Sequence, residues 1–113
     1  VSDNGCDPYS PKSLRASMGT LLRMPVFTLA DFSKEIAGLG LKTYACVVDA
    51  DAQNFGDIKF SDGSVLIIGN EANGITEETK SVSDMKITIP MKGNAESLNA
   101  AVAASIAMWE MMK

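Results

Sequence analysis
Two short polar segments carry the residues best suited to chemistry. The first is "LIIGNEANGI", in which Gly69 is followed by Asn70, Glu71 and Asn73 and closed by Gly74. The second is "ITIPMKGNAESLNAA", which passes Ile89, Pro90 and Met91 and re-enters regular structure at Ser97-Leu98-Asn99. Neither combines the groups of a serine triad or a zinc site, and the chain contains no His at all. The commonest general base and the commonest transition-metal ligand are therefore missing. What remains is amide, hydroxyl and carboxylate chemistry around glycine. Such residues bind and orient a ligand through main-chain and polar side-chain contacts. Gly69 either admits a ligand close to the backbone or supplies a special dihedral. Ser97 and Asn99 bracket an apolar Leu98 at the head of a helix, where free N–H groups receive polar or anionic groups. Ordinary loop and capping roles explain part of this pattern: a Gly-Asn connection between strand and helix, and one N-cap.

The elements that must hold these segments read as alternating helix and strand. Ser10 and Pro11 are an N-cap and first helical residue, with Leu14, Met18 and Leu21 or Leu22 following at helical spacing until Pro25. "VFT" reads as a short strand. "LADFSKEIAGLG" reads as a helix ending near Gly38 or Gly40, and "LKTYACVVDA" as a strand. "DAQNFGDIKFSDG" reads as loop, and "SVLIIGNE" as a strand buried on both faces. "ITEETKSVS" is a short helix with acids in its first turn, "MKITIP" a strand, and residues 97–112 a final helix. Strands separated by helices imply an α/β layer fold with a mostly parallel sheet flanked by helices. In such sheets ligands gather at the carboxyl ends of the strands, which is where both polar segments fall.

Composition bounds the function. With 113 residues and 46% hydrophobic content the chain is one small globular domain. No apolar run reaches membrane-span length and no secretory signal is evident. Cys6 and Cys46 read as free thiols of a reducing cytoplasm. The net charge of −4 argues against a strongly basic nucleic-acid surface, although Lys12, Arg15 and Arg23 cluster early. In the final helix, Leu98, Val102, Ile106 and Trp109 fall on one face. Five alanines make the rest thin, and the "MWEMMK" end is apolar enough to suggest a subunit interface.

Three blocks in order, residues 7–26, 65–75 and 87–110, resemble the SpoU-type (TrmH-like) RNA 2′-O-ribose methyltransferases of the SPOUT superfamily. That resemblance implies an α/β knot fold, a deep trefoil whose loops cradle S-adenosyl-L-methionine. By the same resemblance Gly69, Ile89, Met91, Ser97 and Leu98 are cofactor-binding, and Glu71 and Asn99 organise methyl transfer. The implied partners are a tRNA or rRNA substrate and a second copy of the chain in a homodimer, with no metal and no membrane. The family's upstream segment, an Asn-x-Gly start with a later Arg that assists the 2′-hydroxyl, has no match before Asp7. Residues 1–113 therefore correspond to the C-terminal portion of such a catalytic domain, carrying the cofactor and dimer parts. A non-catalytic nucleotide-binding or protein-interaction module of related α/β fold is the alternative.

Overall fold
The computed structural model describes every residue except 4, 6, 49–50, 71–73, 90–98 and 113. Helix α1 spans Pro11–Ala16 and is capped by Ser10, whose side chain accepts from the Ser13 N–H at 3.2 Å. It is followed by a 3-10 turn at Thr20–Leu22. Next come α2 (Phe32–Ala37), β1 (Lys42–Cys46), β2 (Gln53–Asn54), β3 (Ser64–Ile68), α3 (Glu77–Val82), β4 (Met85–Thr88) and α4 (Ala100–Met111). Thr76 caps α3 through its hydroxyl, with Glu77 and Glu78 in the first turn. These acids complement the free N–H groups and the positive end of the helix dipole.

The described strands form one sheet, ordered β2-β4-β1-β3 and parallel throughout. Strand β1 lies inside it and carries the deepest side chains. Thr43, Tyr44 and Ala45 are almost wholly buried. Alternation along β1 divides the interior into two layers. On one face Ala45 and Val47 pack with Ile67, Ile75 and Ile36 of α2, and Leu29, Phe32 and Val65 close the edges. On the other, Tyr44 meets Phe60 edge-on, with ring centroids 4.7 Å apart. Ile87, paired with Cys46, is 1% exposed; burying such a side chain is worth about 1.5–3 kcal/mol. Helices α2 and α3 pack together, joined by the Ser33 hydroxyl donating to Glu78 at 2.8 Å, while α4 packs on β3. This is the parallel α/β architecture expected from the sequence.

Several local expectations need correction. The first helix does not run on through Met18: it ends at Ala16, and Met18 and Gly19 take φ of 52° and 85°. "VFT" makes no strand; only a single parallel bridge joins Ser2 to Leu29. The loop after β1 contains a real, if minimal, strand in β2, paired with β4. Strand β3 pairs with β1 alone among the described strands and is only partly buried, not enclosed on both sides.

The sequence left open which side of the final helix meets the body, and the structure decides it. Its inward side is the small one: Ala100, Ala103, Ala104 and Ala107 face the body, with Ala107 fully buried. Val102, Met108, Trp109 and Met112 face outward. Alanine lets α4 approach the sheet closely, which larger side chains on that face would prevent. The stretch 90–98, whose path decides the expected knot, lies outside the described residues.

Candidate functional site at the carboxyl edge of the sheet
Register fixes where the two polar segments emerge. Cys46, the last residue of β1, pairs with Ile68 of β3 on one side and Ile87 of β4 on the other. Gly69 is thus one residue beyond the ladder on the β3 side, and Ile89 two residues beyond on the β4 side. The continuation of β1, Val47 and Val48, runs between them. Two strand spacings separate the flanking strands, roughly 10 Å. The Val47 N–H still donates to the Ile87 carbonyl at 2.9 Å, so the backbone leaves the sheet only after this point. Val48 is 69% exposed. Half-buried Cys46 sits beneath, a free thiol that burial keeps protonated by raising its pKa. An apolar floor flanked by two strand ends, whose Gly69 and Ile89 N–H groups have no backbone partner among the described residues, suits a flat, partly polar ligand.

Gly69 has a reason of its own to be glycine. A Cβ there would lie 2.4 Å from the Gly74 carbonyl carbon and 2.6 Å from the Ile75 nitrogen. The crowding comes from the chain's own backbone. Asn70 and Gly74 exchange two hydrogen bonds, at 3.2 and 2.7 Å, drawing the loop shut directly against Gly69. The Asn70–Gly74 neck thus stands directly beyond the end of β3.

Asn99 is the N-cap of α4. Its side-chain oxygen accepts from the Ala101 and Val102 N–H groups at 2.9 and 3.3 Å, so its carbonyl end is committed to the helix. Of the residues expected to form the site, Gly69, Ile89 and Asn99 are described. Glu71, Met91, Ser97 and Leu98 lie outside the described residues. Sequence reasoning missed Val47 and Val48. It ran the strand on to residue 50, whereas the ladder stops at Cys46. The usable signal was the Val-Val pair directly before Asp49, at the carboxyl end of the most buried strand.

The opposite end of the sheet holds an open cleft of about 440 Å³ lined by Ile36, Gly40, Leu41, Lys42, Thr43 and Asp84 among others. Its carboxylate is already employed. Asp84 accepts from the Thr43 N–H at 2.8 Å and the Thr43 hydroxyl at 3.1 Å, and these bonds hold its pKa below the ordinary value. That contact ties the start of β1 to the α3–β4 turn. Among the described residues no group of three His, Cys, Asp or Glu side chains could hold a metal, and no helix is long and apolar enough to cross a membrane.

Residues 1–109 match the family described as the SpoU rRNA Methylase family. The chain is 31% identical to the 23S rRNA (uridine(2479)-2′-O)-methyltransferase of Streptomyces viridochromogenes, covering 100% of this chain and 42% of that protein. It is also 31% identical to the 23S rRNA (guanosine(2553)-2′-O)-methyltransferase RlmP of Bacillus subtilis, covering 98% of this chain and 45% of that one. Among solved structures, the SpoU methyltransferase AviRb of Streptomyces viridochromogenes in complex with the cofactor AdoMet superposes with a TM-score of 0.82. It has 31% identity, with 98% of this chain and 47% of that chain covered. The chain thus spans less than half the length of each of these three relatives.

Proposed function
The chain belongs to the SpoU rRNA Methylase family, and from that premise we propose that it is the cofactor-binding part of an S-adenosyl-L-methionine-dependent RNA ribose 2′-O-methyltransferase. One observation carries the reading: Gly69 and Ile89, at the ends of β3 and β4, flank the exposed end of β1. Both residues offer main-chain groups beyond the ladder, and Val48 supplies an exposed apolar surface between them, next to the buried Val47. This donor set fits a nucleoside whose base is held by backbone and whose edges are polar. The chemistry the cofactor supplies is a methyl group on a positively charged sulfur. The protein's task is placement, which alone can lower a barrier by several kcal/mol.

In this proposal Gly69, Ile89, Met91, Ser97 and Leu98 hold the cofactor, while Glu71 and Asn99 order the reacting end. The Asn70–Gly74 neck supports the role of Glu71, since it fixes the base of the loop that carries that residue. The trefoil threading of the family is part of the same proposal. No step calls for a metal. The substrate is a tRNA or rRNA and the setting is the cytoplasm. The functional unit is a homodimer using the outer face of α4, supported by Val102, Met108, Trp109 and Met112 being 47%, 51%, 66% and 81% exposed. The test is transfer of a labelled methyl group by the complete protein. Ribose 2′-O-methylation makes the adjacent phosphodiester resistant to alkali, so a labelled, alkali-stable dinucleotide is expected. Label confined to a base, or a folded protein that transfers none, would overturn the reading.

A further inference from the structure
Charge is unevenly placed along the chain. Residues 8–30 contain Lys12, Arg15 and Arg23 and no acid, in a protein with 14 acids and a net charge of −4. All three cations are exposed, Lys12 and Arg15 three residues apart on α1 and Arg23 as the C-cap of the 3-10 turn. Residues at that spacing share a helix face. None of the three makes an ion pair or a side-chain hydrogen bond among the described residues. The link between them is a tight reversal. Met18 and Gly19 are consecutive left-handed residues, a conformation that disfavours any side chain bearing a Cβ. The Met18 N–H bonds Arg15 and the Thr20 N–H bonds Ser17, at 3.2 and 3.0 Å, so the reversal is held in place.

The same stretch leaves Tyr9 50% and Phe27 71% exposed. Unpaired cations and exposed aromatic side chains on one segment supply the two requirements of a surface for unstacked nucleic acid: charge for the phosphates and a flat face for the bases. An apolar protein partner would leave the three cations without counter-charge. At its far end the stretch is anchored close to the candidate site. Leu29 packs against the core cluster that includes Val47 and Ile75, which lie just past the end of β1 and at the closure of the Gly69 loop.

We infer that residues 8–30 form a docking surface for single-stranded RNA, with Lys12, Arg15 and Arg23 on phosphates and Tyr9 and Phe27 against unstacked bases. This rests on the reading that the substrate is RNA. The test is fluorescence anisotropy with a labelled single-stranded RNA and its duplex, titrated with salt. The chain is expected to bind the single strand more tightly than the duplex. The triple variant Lys12→Glu/Arg15→Glu/Arg23→Glu should lower the slope of log affinity against log salt by about 2. Phe27→Ala should weaken binding about tenfold with the slope unchanged. Lys34→Glu/Lys59→Glu, reversing exposed charges elsewhere, should leave the slope as it was. If the triple variant does not fold, Arg15→Gln and Arg23→Gln carry the same slope test.

Three results would overturn the inference. One is no binding of the single strand by the folded wild-type chain at low salt. Another is an equal loss in the Lys34/Lys59 variant. The third is a charge reversal that changes only the subunit mass, which would make the surface a protein interface. Calorimetry with S-adenosyl-L-methionine on the same variants keeps the two readings apart. Intact cofactor binding with an unaltered RNA slope sinks the docking surface alone, and absent cofactor binding with the expected RNA pattern sinks the methyl-transfer reading alone.

Discussion
Gly69 and Asn99 show how a residue can serve the architecture of a site before it serves the ligand. A methyl group on Gly69 meets the Gly74–Ile75 backbone at 2.4–2.6 Å, so the loop must open to admit it. Gly69→Ala should lower stability by about 1–3 kcal/mol, read as a shift in the urea midpoint without any ligand. An unchanged midpoint would show that the Asn70–Gly74 neck gives way easily. A loss of cofactor binding in a Gly69 variant is therefore read only beside this stability measurement. Asn99 poses a similar problem. Asn99→Ala removes the α4 cap, at a cost of about 1 kcal/mol, along with any part in transfer. Asn99→Asp keeps the accepting oxygen and removes the amide N–H groups. In the complete protein it should keep the stability and cofactor affinity of wild type while lowering the turnover number, the pattern left when an interaction made mainly in the transition state is lost. Full turnover in Asn99→Asp would reduce Asn99 to its cap.

Elements were legible in the sequence where local chemistry decides them. Ser10-Pro11 and Thr76-Glu77-Glu78 mark helix starts that the structure reproduces, because a capping hydroxyl and nearby acids act within one turn. Strands β1, β3 and β4 were readable from their β-branched and apolar content. Positions decided by distant contacts were not. The left-handed turn at Met18 interrupts a good helical pattern, and β2 exists only because β4 lies beside it. Periodicity showed one apolar stripe on α4 but not which side meets the sheet; the sheet receives the alanines, with Val102 and Trp109 left exposed. Ala107→Leu should accordingly destabilise the chain by about 1–3 kcal/mol through overpacking, while Trp109→Ala should leave the denaturation midpoint of the isolated chain nearly unchanged. The reverse order would put Trp109, not Ala107, on the side of α4 that meets the sheet. Strand β1 is also fastened at its start by Asp84. Its folded pKa is depressed, first by the Thr43 N–H and then by the Thr43 hydroxyl. The contribution is fully present above the carboxyl's unfolded value, about 3.9, and is lost as pH falls through the lower folded value. The stability deficit of Asp84→Asn should therefore be constant above about pH 5 and shrink in more acidic solution. A deficit independent of pH throughout would remove Asp84 from the account.

At the scale of the whole molecule, a parallel sheet places its open chemistry at one edge, and the outward face of α4 stays apolar. Trp109→Lys with Met108→Lys should lower the mass measured by light scattering from dimer to monomer, leaving the circular dichroism of the chain in place. A wild-type monomer at micromolar concentration would contradict the dimer. Sequence placed both polar segments at the strand ends correctly, but only the register β3-β1-β4 shows that Gly69 and Ile89 stand on either side of Val47 and Val48. That juxtaposition is the central claim, and titration calorimetry with S-adenosyl-L-methionine tests it most directly. The folded chain is expected to bind one molecule per chain, and Val48→Glu, placing a charge on the exposed floor, should weaken binding at least tenfold with the fold intact. Undiminished binding by Val48→Glu, or none by the folded wild-type chain, would contradict the account.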